Sequence, residues 1–213
     1  RHALGEDHVE VMKVLLQDER VDPSADEQYA ICEASKNGCL EVVKVLLQDE
    51  RVDPSVKDQE ALLLACKNGH SYVVRELLKD SRVDPSVNDQ AAIRAASEWG
   101  HLDVVKVLLQ DPRVNPAVRN LHVLAHAITY QHSELVKELL EDGRVVVSKE
   151  DYEAIECAHK KGYTWIITMM LAHSEVRQWA KTHPLLAQAY KSEIKKWDQE
   201  YENKSKAIEQ WLL

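Results

Sequence analysis

The stretch Arg20-Val21-Asp22-Pro23-Ser24 is written again as Arg51 to Ser55, as Arg82 to Ser86 and, with Asn115 and Ala117 substituted, as Arg113 to Ala117. A fifth, degraded copy runs from Arg144 to Ser148, and each copy begins 31 residues after the last. Self-similarity at a fixed period of this size marks stacked supersecondary units, each relying on its neighbours to bury its apolar face. Such a stack presents surfaces, and a surface names its partner less directly than a cleft names its reaction.

Each unit has the same internal order, clearest in residues 20–50. At Asp22-Pro23 the proline fixes its own φ and biases the aspartate toward extended geometry. A polar stretch then ends at Glu27, and a helix is predicted to start near Gln28. Asp58, Asp89, Asn120 and Asp151 fill the matching position in later units. All are residue types that accept hydrogen bonds from the unpaired N–H groups of a helix start.

The inward residues of this first helix, Ala30, Ile31 and Ala34, are mostly small, and alanine recurs as Ala65, Ala96, Ala127 and Ala158. Helices with so little side chain at one point can approach closely. Lys36-Asn37-Gly38 ends the helix, glycine supplying the left-handed conformation of the reversal. Gly69, Gly100 and Gly162 repeat it, while Gln131 replaces it once.

A second helix carries Val42, Val43, Leu46 and Leu47, a stripe too wide to face solvent, which predicts a helix sandwiched between neighbours. Equivalent stripes run from Val11-Met12-Leu15-Leu16 through to Ile166-Ile167-Met170-Leu171.

A turn, an alanine-bearing helix, a Gly-His reversal and a second helix written x-V-V-x-x-L-L resemble the ankyrin repeat. The most specific parts are Asn68-Gly69-His70 through Leu78 and Gly100-His101 through Leu109. The resemblance covers residues 1–174: a partial first unit, then units 20–50, 51–81, 82–112, 113–143 and 144–174. It implies an all-α helix-turn-helix solenoid. The family's Thr-Pro-Leu-His signature is replaced, for instance by Glu60-Ala61-Leu62-Leu63, and the unit is about two residues shorter than the usual 33. The shortening falls in the connection between units.

The resemblance also implies a non-catalytic module that binds a protein partner through its concave face, formed by the exposed part of each first helix and the loops between units. Carried over by position, that face includes Lys67 and Asn68, Glu98 and Trp99, Thr129 and Tyr130, and Lys160 and Lys161. Trp99 takes the place of asparagine in earlier units and Tyr130 takes the same place in the next. These two aromatics are expected side by side at the centre of the site, aromatics being favoured interface anchors.

Residues 175–213 depart from the period and are expected to form a short helix from Arg177 to Thr182, a break at His183-Pro184 and a long helix from Pro184 to Leu212. The expectation is a C-terminal cap that covers the end of the stack. The alternative is an oligomerising helix whose far half, beyond Trp197, pairs with a partner or a second copy. A monomer is expected, with a homodimer through this helix as the alternative.

The net charge of −9 argues against nucleic acid or an anionic membrane as partner, since both need a positive field. Four cysteines, Cys32, Cys39, Cys66 and Cys157, lack C-x-x-C spacing and read as buried thiols of a reducing, cytoplasmic compartment. Arg1 aligns with Cys32 one unit later, so the sequence opens inside a helix, and a secreted, host-delivered protein or the recognition module of a larger one are the alternatives.

His8, His70, His101 and His132 share one position after the reversal, which makes them structural, and the resemblance implies the same. His122 and His126 have no acidic or thiol companion at zinc-site spacing, the glycines end repeat helices, and Asp49-Glu50 and Glu141-Asp142 read as solvated charge. No catalytic residue, metal or cofactor is expected.

Overall fold

The computed structural model describes residues 3–116, 123–142, 144 and 149–212, all helix and turn with no strand among them. Contacts divide the chain into two compact bodies, residues 1–123 and 124–213.

The N-terminal body contains α1 (Ala3–Leu16), α2 (Ala25–Lys36), α3 (Leu40–Leu47), α4 (Val56–Lys67), α5 (Ser71–Leu77), α6 (Val87–Glu98) and α7 (Leu102–Leu109). The first helices α2, α4 and α6 stack side by side in one layer, and α1, α3, α5 and α7 form a second layer behind it. Ala61, Ala65, Ala92 and Ala96 are buried in the first layer, where their small side chains permit the close approach. Leu46, Leu77 and Leu108 of the second layer are fully buried.

At the same register in α1, Leu15 is 43% exposed, and Val11 and Val14 are exposed with it. The predicted sandwich therefore fails at α1, which has a second-layer neighbour, α3, on one side only among the described elements.

The repeated stretch is the joint between units. Its valines, Val52, Val83 and Val114, are buried. Its arginines reach back one unit: Arg51 Nη1 donates to the Val21 carbonyl at 2.8 Å, Arg82 Nη1 to Val52 at 2.8 Å, and Arg113 Nη1 to Val83 at 2.7 Å. Each guanidinium is held by the aspartate two residues before it, as in Arg82 Nη2 to Asp80 at 2.6 Å. Asp49 and Asp142 are such aspartates, so they are fixed partners rather than solvated charge. The arginines hold the carboxyls of Asp49, Asp80, Asp111 and Asp142 below the usual carboxylate range.

The helix starts differ from expectation. The N–H groups of Ser24, Ser55 and Ser86 are accepted by Asp22, Asp53 and Asp84, each at 2.9 Å, and the serine hydroxyls donate to the same carboxylates. Glu27, Asp58 and Asp89, expected to accept such bonds, instead sit inside left-handed turns; Asn120 lies outside the described residues. Three successive residues are left-handed in each turn: Lys57 (φ 52), Asp58 (φ 56) and Gln59 (φ 69), with Asp26 to Gln28 and Asn88 to Gln90 alike. Such a conformation costs about 1 to 2 kcal/mol per non-glycine residue. What holds it is the last residue of each turn: Gln28, Gln59 and Gln90 are buried and donate to the carbonyls of Arg51, Arg82 and Arg113 in the next unit at 3.3 to 3.4 Å.

In the C-terminal body the helices are α8 (Val123–Thr129), α9 (Ser133–Glu141), α10 (Lys149–Lys160), α11 (Thr164–Met170), α12 (Ser174–Thr182), α13 (Pro184–Ala189) and α14 (Lys191–Leu212). The long helix expected from Pro184 is thus two, broken at Tyr190 (φ −117, ψ 26). The break turns Tyr190 inward, where it is buried with its hydroxyl 3.2 Å from His159 Nδ1.

Arg177, 4% exposed, donates through Nη1 to the carbonyls of Leu171 and Ala172 at 2.8 and 2.7 Å and through Nε to Asp198 at 3.2 Å. Lys181 also reaches Asp198, at 2.7 Å. These bonds anchor α14 as far as Asp198; beyond it Gln199, Tyr201, Glu202 and Asn203 are exposed.

Candidate protein-binding face

The first helices all end in the same way, and the ends carry the predicted site. In α4 the helix runs to Lys67, and the next residue, Asn68, returns its side-chain Nδ2–H to the Leu64 carbonyl at 2.8 Å. Asn37 does the same with Glu33 at 2.8 Å after α2. Each of these carbonyls already accepts the backbone N–H four residues on, at 3.0 Å from Asn37 and 3.1 Å from Asn68, so the asparagine side chain adds a second bond to the last turn. Asn68 is therefore exposed but engaged in capping.

After α6 the position belongs to Trp99, whose backbone N–H reaches the Ala95 carbonyl at 3.2 Å while its indole adds no second bond. Its ring is 54% exposed, and Lys67 Nζ lies over it at 5.8 Å from the ring centre, within the range of a cation–π contact. The chain thus keeps the backbone bond, forgoes the side-chain capping bond and sets a large aromatic ring in solvent. Glu98, beside it, is exposed and engaged with another group of the chain.

Thr129 and Tyr130 belong to the C-terminal body and are taken with their own neighbours. Tyr130 is 52% exposed and stacks on His126 (6.1 Å between ring centres) and on His132 (6.2 Å). Thr129 is half-buried. Lys160 and Lys161 are exposed at the end of α10, with Lys161 Nζ 6.0 Å from the ring centre of Tyr163. Two groups thus emerge, Lys67 with Trp99 in one body and Tyr130 with its histidines in the other. His122 lies outside the described residues.

Cys32 and Cys66 offer little reactivity. Burial, with Glu60 nearby, pushes the Cys32 thiol up to about 11, and burial pushes Cys66 higher still. Only thiolates are good nucleophiles. Cys39, read as buried in the sequence, is exposed.

A family model described as ankyrin repeats (3 copies) matches residues 31–120 and again 93–181. The chain belongs to the ankyrin repeat family. No curated protein and no solved structure matches the chain. Ankyrin repeats are in general protein-interaction modules and typically non-catalytic, and no described helix is long and apolar enough to cross a membrane.

Within the ankyrin frame His70 and His101 are structural. His70 Nε2 lies 2.9 Å from the Lys36 carbonyl and His101 Nε2 lies 3.0 Å from that of Lys67, so each histidine closes the reversal of the preceding repeat.

Sequence reasoning missed the Asp-x-Arg pairs, although aspartate two residues before each arginine recurs at the repeat period and was the available signal. It also passed over the exposed Asp58 and Asp89, by treating them as caps, and the exposed Tyr29 and Tyr72.

Proposed function

We propose that this chain is a non-catalytic binding module that grips a protein partner on the exposed face of its first helices, with Trp99 as principal anchor and Lys67 beside it. The observation that carries the reading is the exchange at the end of α6: a capping asparagine in two earlier repeats is replaced by a solvent-exposed tryptophan carrying a lysine on its ring. A side chain that gives up a capping bond without gaining burial contributes little to the stack. Tryptophan is also among the residues most enriched at the energetic centres of interfaces.

Tyr130, with Thr129, is proposed as a second contact, and Lys160 and Lys161 as charges that steer association more than they hold the complex. Asn68 is proposed only as part of the rim, because its amide is committed to capping.

The test is affinity capture with the intact chain and with Trp99→Ala in parallel, followed by titration of the purified partner. Loss of an interface anchor costs at least about 2 kcal/mol, more than tenfold in affinity. Trp99→Ala is expected to weaken binding by that factor with melting unchanged. A folded variant with full affinity refutes the assignment.

A further inference from the structure

The grooves between successive first helices are not equivalent. Between α2 and α4 the facing charges pair within the chain at both ends, Lys57 bridging Glu27 and Glu60 at the turn end and Lys36 meeting Glu33 at the reversal end, with the exposed Asp26 outside these pairs. Between α4 and α6 they are left open. Asp58 stands exposed at the turn end, and Lys67 lies exposed on Trp99 at the reversal end. Among the described residues neither joins an ion pair, the neighbouring Lys57 being held by Glu27 and Glu60. Asp58 also borders a shallow crevice whose walls include Leu63 and Ala91, one from each helix of the pair. The groove therefore carries an unpaired anion at one end, apolar walls beside it, and an unpaired cation with an aromatic ring at the other.

From this arrangement we infer that the groove between α4 and α6 takes an extended partner segment bearing a basic side chain at Asp58 and an acidic side chain at Lys67, with an apolar residue on Trp99. The inference rests on the binding reading above and adds to it the chemistry of the bound segment and the placing of its charges along the groove.

The two ends differ in what they can accept. Lys67 and the Trp99 indole offer only hydrogen-bond donors, so the group they select is an acceptor, and a carboxylate matches the charge as well. A carboxylate at Asp58 offers only acceptors and selects an ammonium or guanidinium. The regular helix between Asp58 and Lys67, from Glu60 to Lys67, is seven steps long, which at 1.5 Å per residue is on the order of 10 Å. That exceeds the screening length of about 8 Å at physiological salt, so each end is read by its own charge. An extended chain advances about 3.3 Å per residue, which puts the partner's basic and acidic residues at least about three positions apart. The chain's net charge of −9 does not select for the acidic group, because the recognition of that group is local to Lys67.

A displayed library of random twelve-residue peptides, selected on the intact chain, tests this directly. Enriched peptides are synthesised and titrated by calorimetry against the parent, Asp58→Asn, Lys67→Glu and Trp99→Ala. The three side chains are exposed, so the melting curves of the variants are expected to match the parent and are recorded first. The expected peptides carry Lys or Arg and Asp or Glu at least about three positions apart with an apolar neighbour to the acid. Trp99→Ala weakens them about tenfold. Lys67→Glu weakens them too, and affinity returns when the peptide's acid is changed to lysine; Asp58→Asn removes the preference for the basic residue alone.

Peptides that depend on Trp99 but show no such charge pair, or whose affinity the charge exchange does not restore, overturn the inference while leaving the binding reading intact. Peptides indifferent to Trp99→Ala overturn both. A selection that enriches nothing overturns the inference and leaves the captured partner as the measure of the binding reading.

Discussion

Gly69 is where two demands meet, and their separation makes a stringent test of how the repeats are joined. Its φ of +80 is left-handed, and a Cβ built there would lie 2.7 Å from His101 Nδ1 and 2.8 Å from Cε1. Alanine at this position incurs the left-handed conformation, about 1 to 2 kcal/mol. It must also push aside the imidazole that bonds the Lys67 carbonyl at 3.0 Å, losing a hydrogen bond worth about 1 kcal/mol. The expected total for Gly69→Ala is about 2 to 3 kcal/mol.

Gly162 is the control, because it has φ +77 but nothing within 4 Å of the added Cβ. Gly162→Ala should therefore cost only the conformational part, about 1 to 2 kcal/mol. Urea unfolding followed by circular dichroism gives each value from the shift in midpoint. Measuring Gly69→Ala again in a His101→Ala background completes the cycle, and there its cost should fall to that of Gly162→Ala. Equal costs for the two glycines in the parent, or no change in the His101→Ala background, would refute the claim that histidine and glycine form one packed joint.

Other expectations follow from the same joints. The paired carboxyls of Asp49, Asp80, Asp111 and Asp142 lie below their unfolded values, so their contribution is present above the unfolded pKa near 4 and is lost as pH falls through the folded values. The melting temperature should therefore drop between pH 5 and pH 2; a flat profile contradicts the pairing. Asp89 holds φ 53 at an exposed position, so Asp89→Gly should stabilise by up to about 1 kcal/mol, whereas destabilisation would argue against the left-handed turn. Arg177→Met removes two carbonyl bonds and the Asp198 link from a buried site and should destabilise by about 2 kcal/mol or more, read as a lower urea midpoint. Removal of α14 beyond Asp198, where exposed residues succeed the anchored ones, should leave the midpoint nearly unchanged, and a large loss would give that half a packing role.

The parts of the fold legible in the sequence are those repeated with one residue type for one physical task. Val43, Leu46, Ala65 and Ala96 recur at the period because each stack interface needs the same side chain, and all four are buried as the stripes required. The helix starts were misread because Asp58 and Asp22 have the same chemistry. Both accept hydrogen bonds, and only the backbone between them decides which is used. That backbone is fixed by Gln59 reaching Arg82 in the next repeat, a contact 23 residues away that no local propensity encodes. The split of the terminal helix at Tyr190 has the same origin, since His159, not anything near Tyr190 in sequence, draws the ring inward.

The candidate site was legible for a different reason. Trp99 stands out in the sequence because it breaks the repeat, but the sequence alone does not say whether the broken position is buried or exposed. The structure adds the deciding pair of facts: the position is a helix end where asparagine would cap, and the ring that replaces it remains in solvent beneath Lys67. In a repeat array the positions that obey the period hold the stack together. Those that depart from it while staying exposed are free of that task, and the first place to look for recognition is where such a departure forgoes a stabilising bond.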